Sequence, residues 1–327
     1  MRQRSRTQPQ LTTGPGSAPY GTGLRAVTAA SLVLAYLLVI LGDTVRVTES
    51  GMGCTSWPLC NGHFGLSGSY HALLEQSHRY LAAVVTVFAA ASFAAAWYRA
   101  RQDRLVYRSA AAALALIGVQ IVLGAITVLT HNAGWTVALH LAGAWLLAGA
   151  LTVTVLGVWR APAVPDPGRP SARSAPAGRL GLAAAVALFA LSVTGMLVLH
   201  DGASNACQDW PVCGRGTGPA ALVVLQYVHR SFALLAAVMI TAAALRVMRS
   251  ASAELADRML AGGALALLAA TAAFGAIVAT TGAPPVEQDL HLAVASALWI
   301  AVVALATPAA ADRAAILDAP VDLVPFQ

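Results

Sequence analysis

An all-α membrane protein, eight transmembrane helices arranged as two pseudosymmetric four-helix bundles in tandem, is the fold class this sequence predicts. Three observations predict it: apolar runs too long for a soluble domain, a charge content too low for one, and a set of motifs written twice. The chain has 327 residues, 58% hydrophobic and 10% charged, whereas a soluble domain carries about a quarter charged residues. Mean hydropathy is +0.69.

Eight segments reach the length of roughly 20 apolar residues that a bilayer crossing needs. They fall near Leu24–Leu41, Tyr70–Tyr98, Ser109–Leu129, Thr136–Trp159, Leu180–Leu199, Ala220–Leu245, Met259–Thr281 and Leu290–Thr307. Continuous apolar runs suit helices, which satisfy their backbone internally, and exclude a barrel, whose strands alternate. Alanine, glycine, leucine and valine dominate, and small residues let helices pack closely in lipid. All 20 basic residues are arginine. The net charge of +6 does not imply nucleic acid, because the arginines lie between apolar segments and form no basic face. With the N-terminus in the cytoplasm, 16 arginines lie inside and 4 outside (Arg46, Arg79, Arg215 and Arg230). That bias predicts a multi-pass protein of the cell membrane with both termini cytoplasmic. The first span reads as a retained helix, because "GDTVRVTESG" follows it where a cleaved signal would have small residues.

The duplication is explicit on the outer side. "CTSWPLC" and "CQDWPVC" share the pattern Cys-x-x-Trp-Pro-x-Cys, and "SHR" at His78 answers "VHR" at His229. A second histidine follows each at the same interval, 140 − 78 = 62 and 291 − 229 = 62. "GAI" recurs sixteen residues before each of those later histidines, at Gly124 and Gly275. Four helices per unit is an even number, so the two units run parallel, not inverted. The resulting organisation is a disordered cytoplasmic tail (1–22), an N-terminal half (23–159), a Pro/Ala/Arg-rich cytoplasmic linker (160–179), a C-terminal half (180–310) and a second tail (311–327).

Both cysteine pairs lie opposite the arginine-rich loops, on the oxidising side of a bacterial membrane, which favours a disulfide within each loop, Cys54–Cys60 and Cys207–Cys213. Free or redox-switching thiols are the alternative, and a zinc site would require the two loops to meet. Trp57 and Trp210 read first as interface anchors and otherwise as part of a lid.

His78 and His140 begin the second and fourth spans, both running inward, so their side chains lie at similar depth; His229 and His291 repeat this on the sixth and eighth. Two imidazoles facing each other across an apolar bundle are what a bis-histidine haem requires. One intramembrane histidine is as easily a packing residue, but two equally spaced pairs point to a cofactor. His63, His71, His131 and His200 have no counterpart and read as surface residues. Glu75-x-x-His78 resembles half of a di-iron carboxylate unit, yet the second half has Gln226 in place of Glu75 and too few carboxylates remain.

That one-sided carboxylate distinguishes the halves. Glu75 and His78 are three residues apart on one helical face. Beside a haem pocket Glu75 suits proton transfer or stabilisation of developing positive charge; the plainer reading is a solvated carboxylate or a partner of Arg79. Arg79 and Arg230 each follow a candidate ligand, and can pair with haem propionates or extend toward solvent.

Taken together, "GDTVRVTESG", "EQSHR", "QIVLGAITVLT", "WTVALHLAGA" and the second "VHR" resemble the haem A synthase family over roughly residues 24 to 305. The resemblance implies oxidation of the C8 methyl of haem O to a formyl group, giving haem A for terminal oxidases with water as oxygen source. It implies haem b held by His229 and His291, substrate haem received by His78 and His140, and Glu75 as the catalytic glutamate. Haem O synthase and oxidase assembly factors are the partners it suggests, with homo-oligomerisation left open. Asp43 departs from the family, which has a second glycine there, and "TTGAPPVEQD" before the last span is shorter and richer in proline than usual. The rival readings are a two-haem cytochrome relaying electrons from quinol, and a haem carrier for oxidase assembly. Glu75 without a twin favours the enzyme.

Overall fold

The computed structural model describes residues 20–65, 68–160, 175–200, 202–214, 216, 218–251 and 253–307. Most of the expected N-terminal tail, the linker and the expected C-terminal tail lie outside the described residues. Eight α-helices follow in order: α1 Thr22–Val47, α2 Tyr70–Ala100, α3 Arg104–Leu129, α4 Gly134–Trp159, α5 Ala175–His200, α6 Ala220–Arg249, α7 Leu255–Thr280 and α8 Pro285–Ala306. All eight are long and apolar enough to cross a membrane. The shortest, α8 with 22 residues, extends about 33 Å at 1.5 Å per residue, enough for a hydrocarbon core of about 30 Å.

The helix ends explain where the sequence boundaries shift. α1 runs on to Val47, six residues past the expected Leu41. Within its last turns, the Thr44 hydroxyl lies 3.1 Å from the Ile40 carbonyl and Arg46 pairs with Asp43 three residues earlier, so "GDTVR" places its polar groups without leaving the helix. α8 begins early at Pro285, whose missing N–H costs nothing at a first helical position. The loop within "TTGAPPVEQD" is therefore shorter still, four residues, 281–284, followed by the first turns of α8. The C-terminal ends of α1, α3 and α7 stop alike: Ser50 N–H donates to Val45, Asn132 to Thr127 and Ala283 to Val278. The preceding residue is left-handed each time, Glu49 at φ 54°, His131 at φ 54° and Gly282 at φ 80°, the Schellman type of helix stop.

Packing follows the chain. α1–α2–α3–α4 close a ring of neighbours, α5–α6–α7–α8 close another, and α1 with α8, α4 with α5 and α4 with α8 join the two. This fits the two-bundle expectation. α4 and α8 are central: 56% of the most apolar window of each is buried, against 17% for α3 and α7. One apolar core, including Val39, Trp145, Leu188, Leu292, Leu298 and Trp299, runs through both halves. At its centre Trp145 and Trp299 stack with ring centres 5.6 Å apart, and Trp299 Nε1 donates to the Trp145 carbonyl at 2.6 Å.

Candidate functional site at the outer ends of the bundles

All four paired histidines are partly buried near the N-terminal ends of even-numbered helices. In the first half the His78 and His140 rings are 6.4 Å apart between centres, with planes at 66°. In the second, His229 and His291 hold the corresponding positions on α6 and α8. Among the described residues no three or more His, Cys, Asp or Glu side chains gather as a metal site, so what the bundles offer a metal is these pairs of imidazoles.

Each imidazole rests against a glycine of the preceding helix. A Cβ added to Gly42 on α1 would lie 3.0 Å from His78 Nε2; at Gly195 on α5, 3.0 Å from His229 Cε1; at Gly275 on α7, 3.1 Å from His291 Cε1; at Gly124 on α3, 3.4 Å from His140 Cε1. The sequence marked Gly124 and Gly275 as a matched pair, through "GAI", and Gly42 only as the start of "GDTVRVTESG". Gly42 and Gly195 stand 78 − 42 = 36 and 229 − 195 = 34 residues before their histidines, and that two-residue difference hides their equivalence from a fixed-interval search.

Proton placement on His229 follows from its neighbour. The Thr194 hydroxyl donates its only proton to the Leu191 carbonyl at 2.8 Å, and lies 3.1 Å from His229 Nδ1. With that proton on the Leu191 carbonyl, Nδ1 is the donor to Thr194, the tautomer that leaves a lone pair on Nε2 for a ligand. His140 Nδ1 and His291 Nδ1 are buried without a hydrogen-bond partner. The single histidines behave differently. His63, His71 and His131 are exposed, His71 bonding Ser50 through Nδ1 at 2.8 Å, and the His200 side chain lies outside the described residues.

Above the first pair, Glu75 is buried and doubly held. Its Oε2 accepts the Cys54 N–H at 2.8 Å and its Oε1 accepts from Arg79 at 2.6 Å. Arg79 also donates to the Ser56 and Pro58 carbonyls. Arg230 does the same one repeat later, donating to the Asp209 and Pro211 carbonyls and to that of Cys207. Both arginines thus fasten a cysteine loop to the helix bearing a candidate ligand. In place of Glu75 the second half has Gln226, whose Nε2 donates to the Ala203 carbonyl at 2.8 Å. Within each loop the cysteines are bonded, Cys54 to Cys60 and Cys207 to Cys213, and Trp57 and Trp210 stand exposed, each before a cis proline.

Sequence reasoning did not reach the polar contacts between the halves. Arg46 of α1 donates to Gln288 Oε1 at 3.2 Å, and Thr44 to Asp289 Oδ2 at 2.7 Å. Gln288 in turn donates to the Ala283 carbonyl, and Asp43 is 4% exposed. These partners are more than 240 residues apart, and no short-range pattern announces them.

Known proteins place this arrangement. The family model described as cytochrome oxidase assembly protein matches residues 25–67 and 67–303. A haem A synthase of Symbiobacterium thermophilum is 34% identical over 286 residues, covering 84% of this chain and 92% of that one. Another, from Exiguobacterium sibiricum, is 31% identical over 204 residues, 60% of this chain and 66% of its own. A protohaem IX farnesyltransferase of Halobacterium salinarum is 34% identical over 116 residues, 36% of this chain and 25% of its own. Matching at that extent along nearly all of its spans, the chain belongs to the haem A synthase family.

Proposed function

We propose that this protein is a haem A synthase of the cell membrane, an oxidoreductase that converts the C8 methyl of haem O to a formyl group. The observation that carries the site reading is the first imidazole pair, 6.4 Å apart between ring centres and one helical turn below a buried carboxylate. A metal bound through one nitrogen of each ring, at about 2 Å, would hold the ring centres about 6 Å apart. The residues fit such a group in three further respects: His229 presents its Nε2 lone pair, His140 and His291 keep a buried Nδ1 unpaired, and glycines make room beside every ring.

On this reading residues 23–159 form the substrate half and 180–310 the haem b half. His78 and His140 receive haem O, and His229 and His291 hold a resident haem b. When bound, haem b supplies a redox centre for the electrons removed from the substrate, and two histidine ligands leave it no open position for oxygen. The remaining work falls to the protein. Helices α1 to α4 exclude bulk water from the substrate's apolar face. The reacting methyl loses electrons and protons and takes its oxygen from water, and Glu75 is the group placed to accept those protons. The Cys54 N–H and the Arg79 guanidinium fix the two Glu75 oxygens, so the carboxylate stays aimed while it takes a proton. Arg79 holds it from the other side, and Arg79 and Arg230 together are the candidate partners of haem propionates at the loop edge. The termini are cytoplasmic and both cysteine loops are external. The farnesyltransferase match supports a haem O-producing enzyme as functional partner.

Expression of the full chain with a source of haem O, followed by mass identification of the extracted haems, tests the proposal. Haem A accumulation is expected; recovery of haem O and haem b alone would instead establish a relay or a carrier.

A further inference from the structure

Helical glycines are destabilising by themselves, about 1 kcal/mol relative to alanine in an exposed helix, and they weaken a span unless something approaches closely. In this molecule the four odd-numbered helices each carry one glycine set against an imidazole of the next helix: Gly42 against His78, Gly124 against His140, Gly195 against His229 and Gly275 against His291. The same helices carry glycines that meet nothing within 4 Å, Gly118 on α3 and Gly262 and Gly263 on α7. Glycine content alone therefore does not explain the contacts. The match is one glycine to one candidate ligand, four times over.

We infer that Gly42, Gly124, Gly195 and Gly275 are positioning residues, notches that set the depth and tilt of the haem-binding imidazoles. Ordinary carbon–carbon contact begins at about 3.5 Å. A methyl at Gly195 or Gly275 would stand 3.0 or 3.1 Å from Cε1, the ring carbon between the two nitrogens, and would displace both nitrogens together. His229 has little freedom to absorb the shift, because Thr194 holds its Nδ1 from the same helix. Gly124 is the mildest case at 3.4 Å. Gly42 is distinct: its methyl would meet Nε2 itself at 3.0 Å, so crowding there falls on the prospective ligating atom of the substrate pocket. The notches thus differ in kind, the second half fixing a resident group through paired Cε1 contacts and the first leaving one ring edge against α1.

This inference rests on the haem assignment above, and the experiment separates the two. The full chain is purified with its resident haem, and haem per protein, the ferric spin state and the thermal unfolding midpoint are measured together. Gly195→Ala and Gly275→Ala are expected to lower bound haem about 10-fold, or to convert the remaining low-spin signal to high-spin. Gly118→Ala and Gly262→Ala should match the unsubstituted protein in haem content and spin state, with an unfolding midpoint at or above it. Gly149→Ala is the crowding control, since its methyl would stand 3.3 Å from Trp299; it should lower the unfolding midpoint and leave the haem spectrum unchanged. In the first half, spectral titration with haem O should show weaker binding for Gly42→Ala than for Gly124→Ala, and Gly124→Ala supplies the reading if the more crowded variants fail to accumulate. Unchanged spectra in both Gly195→Ala and Gly275→Ala, or an equal spectral change in Gly149→Ala, overturns the inference and leaves the function standing. An unsubstituted protein with no low-spin bis-imidazole signal overturns both.

Discussion

Set side by side, the two cysteine loops are fastened alike and differ in the side chain one turn before the paired histidine, Glu75 in one and Gln226 in the other. Each has a bonded cysteine pair, a Trp-Pro step, and an arginine that reaches from the ligand helix to the carbonyls two and four residues after the first cysteine. In the first loop a carboxylate bridges that arginine and the Cys54 N–H. In the second, the arginine turns to the Cys207 carbonyl and an amide bonds Ala203. The comparison teaches that the loop architecture does not need the acid: Gln226 and a carbonyl complete the same fastening without charge. A buried carboxylate costs desolvation that an amide avoids, and on the proposed function that cost is set against the proton transfer assigned to Glu75.

The largest expected effect bears directly on that contrast. Glu75→Gln gives the first loop the second loop's side chain, and haem A yield should fall about 100-fold or more while the resident haem b absorbance stays unchanged. Adding Gln226→Glu should not restore it; restoration would mean that the halves are chemically interchangeable. Next come the ligands. His229→Ala or His291→Ala should remove the resident b-type spectrum, a loss beyond the 10–100-fold typical of outer partners. His78→Ala or His140→Ala should leave that spectrum in place and abolish haem O binding. A spectrum that survives both second-half variants would break the assignment of roles.

The disulfides should sharpen the comparison at smaller scale. Replacing either pair with serine frees a closed loop whose cysteines are six residues apart, a change of about 2 kcal/mol in loop entropy that the thermal unfolding midpoint reads. Cys54→Ser with Cys60→Ser should also depress haem A yield, because Cys54 anchors Glu75. Cys207→Ser with Cys213→Ser should depress it less. The smallest effect is expected from Gln226→Ala, which removes a buried hydrogen bond to Ala203 worth about 1 kcal/mol and should leave haem A yield unaltered.

What the sequence disclosed was whatever depends on short range or on fixed intervals. Eight spans were legible because each apolar run is long enough alone, and His78, His140, His229 and His291 stood out because 62 residues separate both pairs. The end of α1 was misjudged because Asp43 and Arg46 look like loop residues until their pairing within the helix is seen. Arg79 and Arg230 were read as propionate partners or as side chains extending toward solvent, and the loop carbonyls they bond carry no signature in side-chain identity. Gly42 and Gly195 were hidden by a two-residue change in loop length. The contacts of Thr44 and Arg46 with Asp289 and Gln288 join opposite ends of the chain and exist only once the halves have packed.

The seam between the halves has a consequence of its own. Numbering the second copy onto the first, α1 against α8 and α5 against α4 exchange places, while α4 against α8 maps onto itself. Such a contact is isologous, the kind two identical subunits make about a two-fold axis. A single four-helix copy already possesses both faces of it, so an ancestral pair could have become one polypeptide through a connecting segment alone, after which each pocket was free to lose or keep its acid independently.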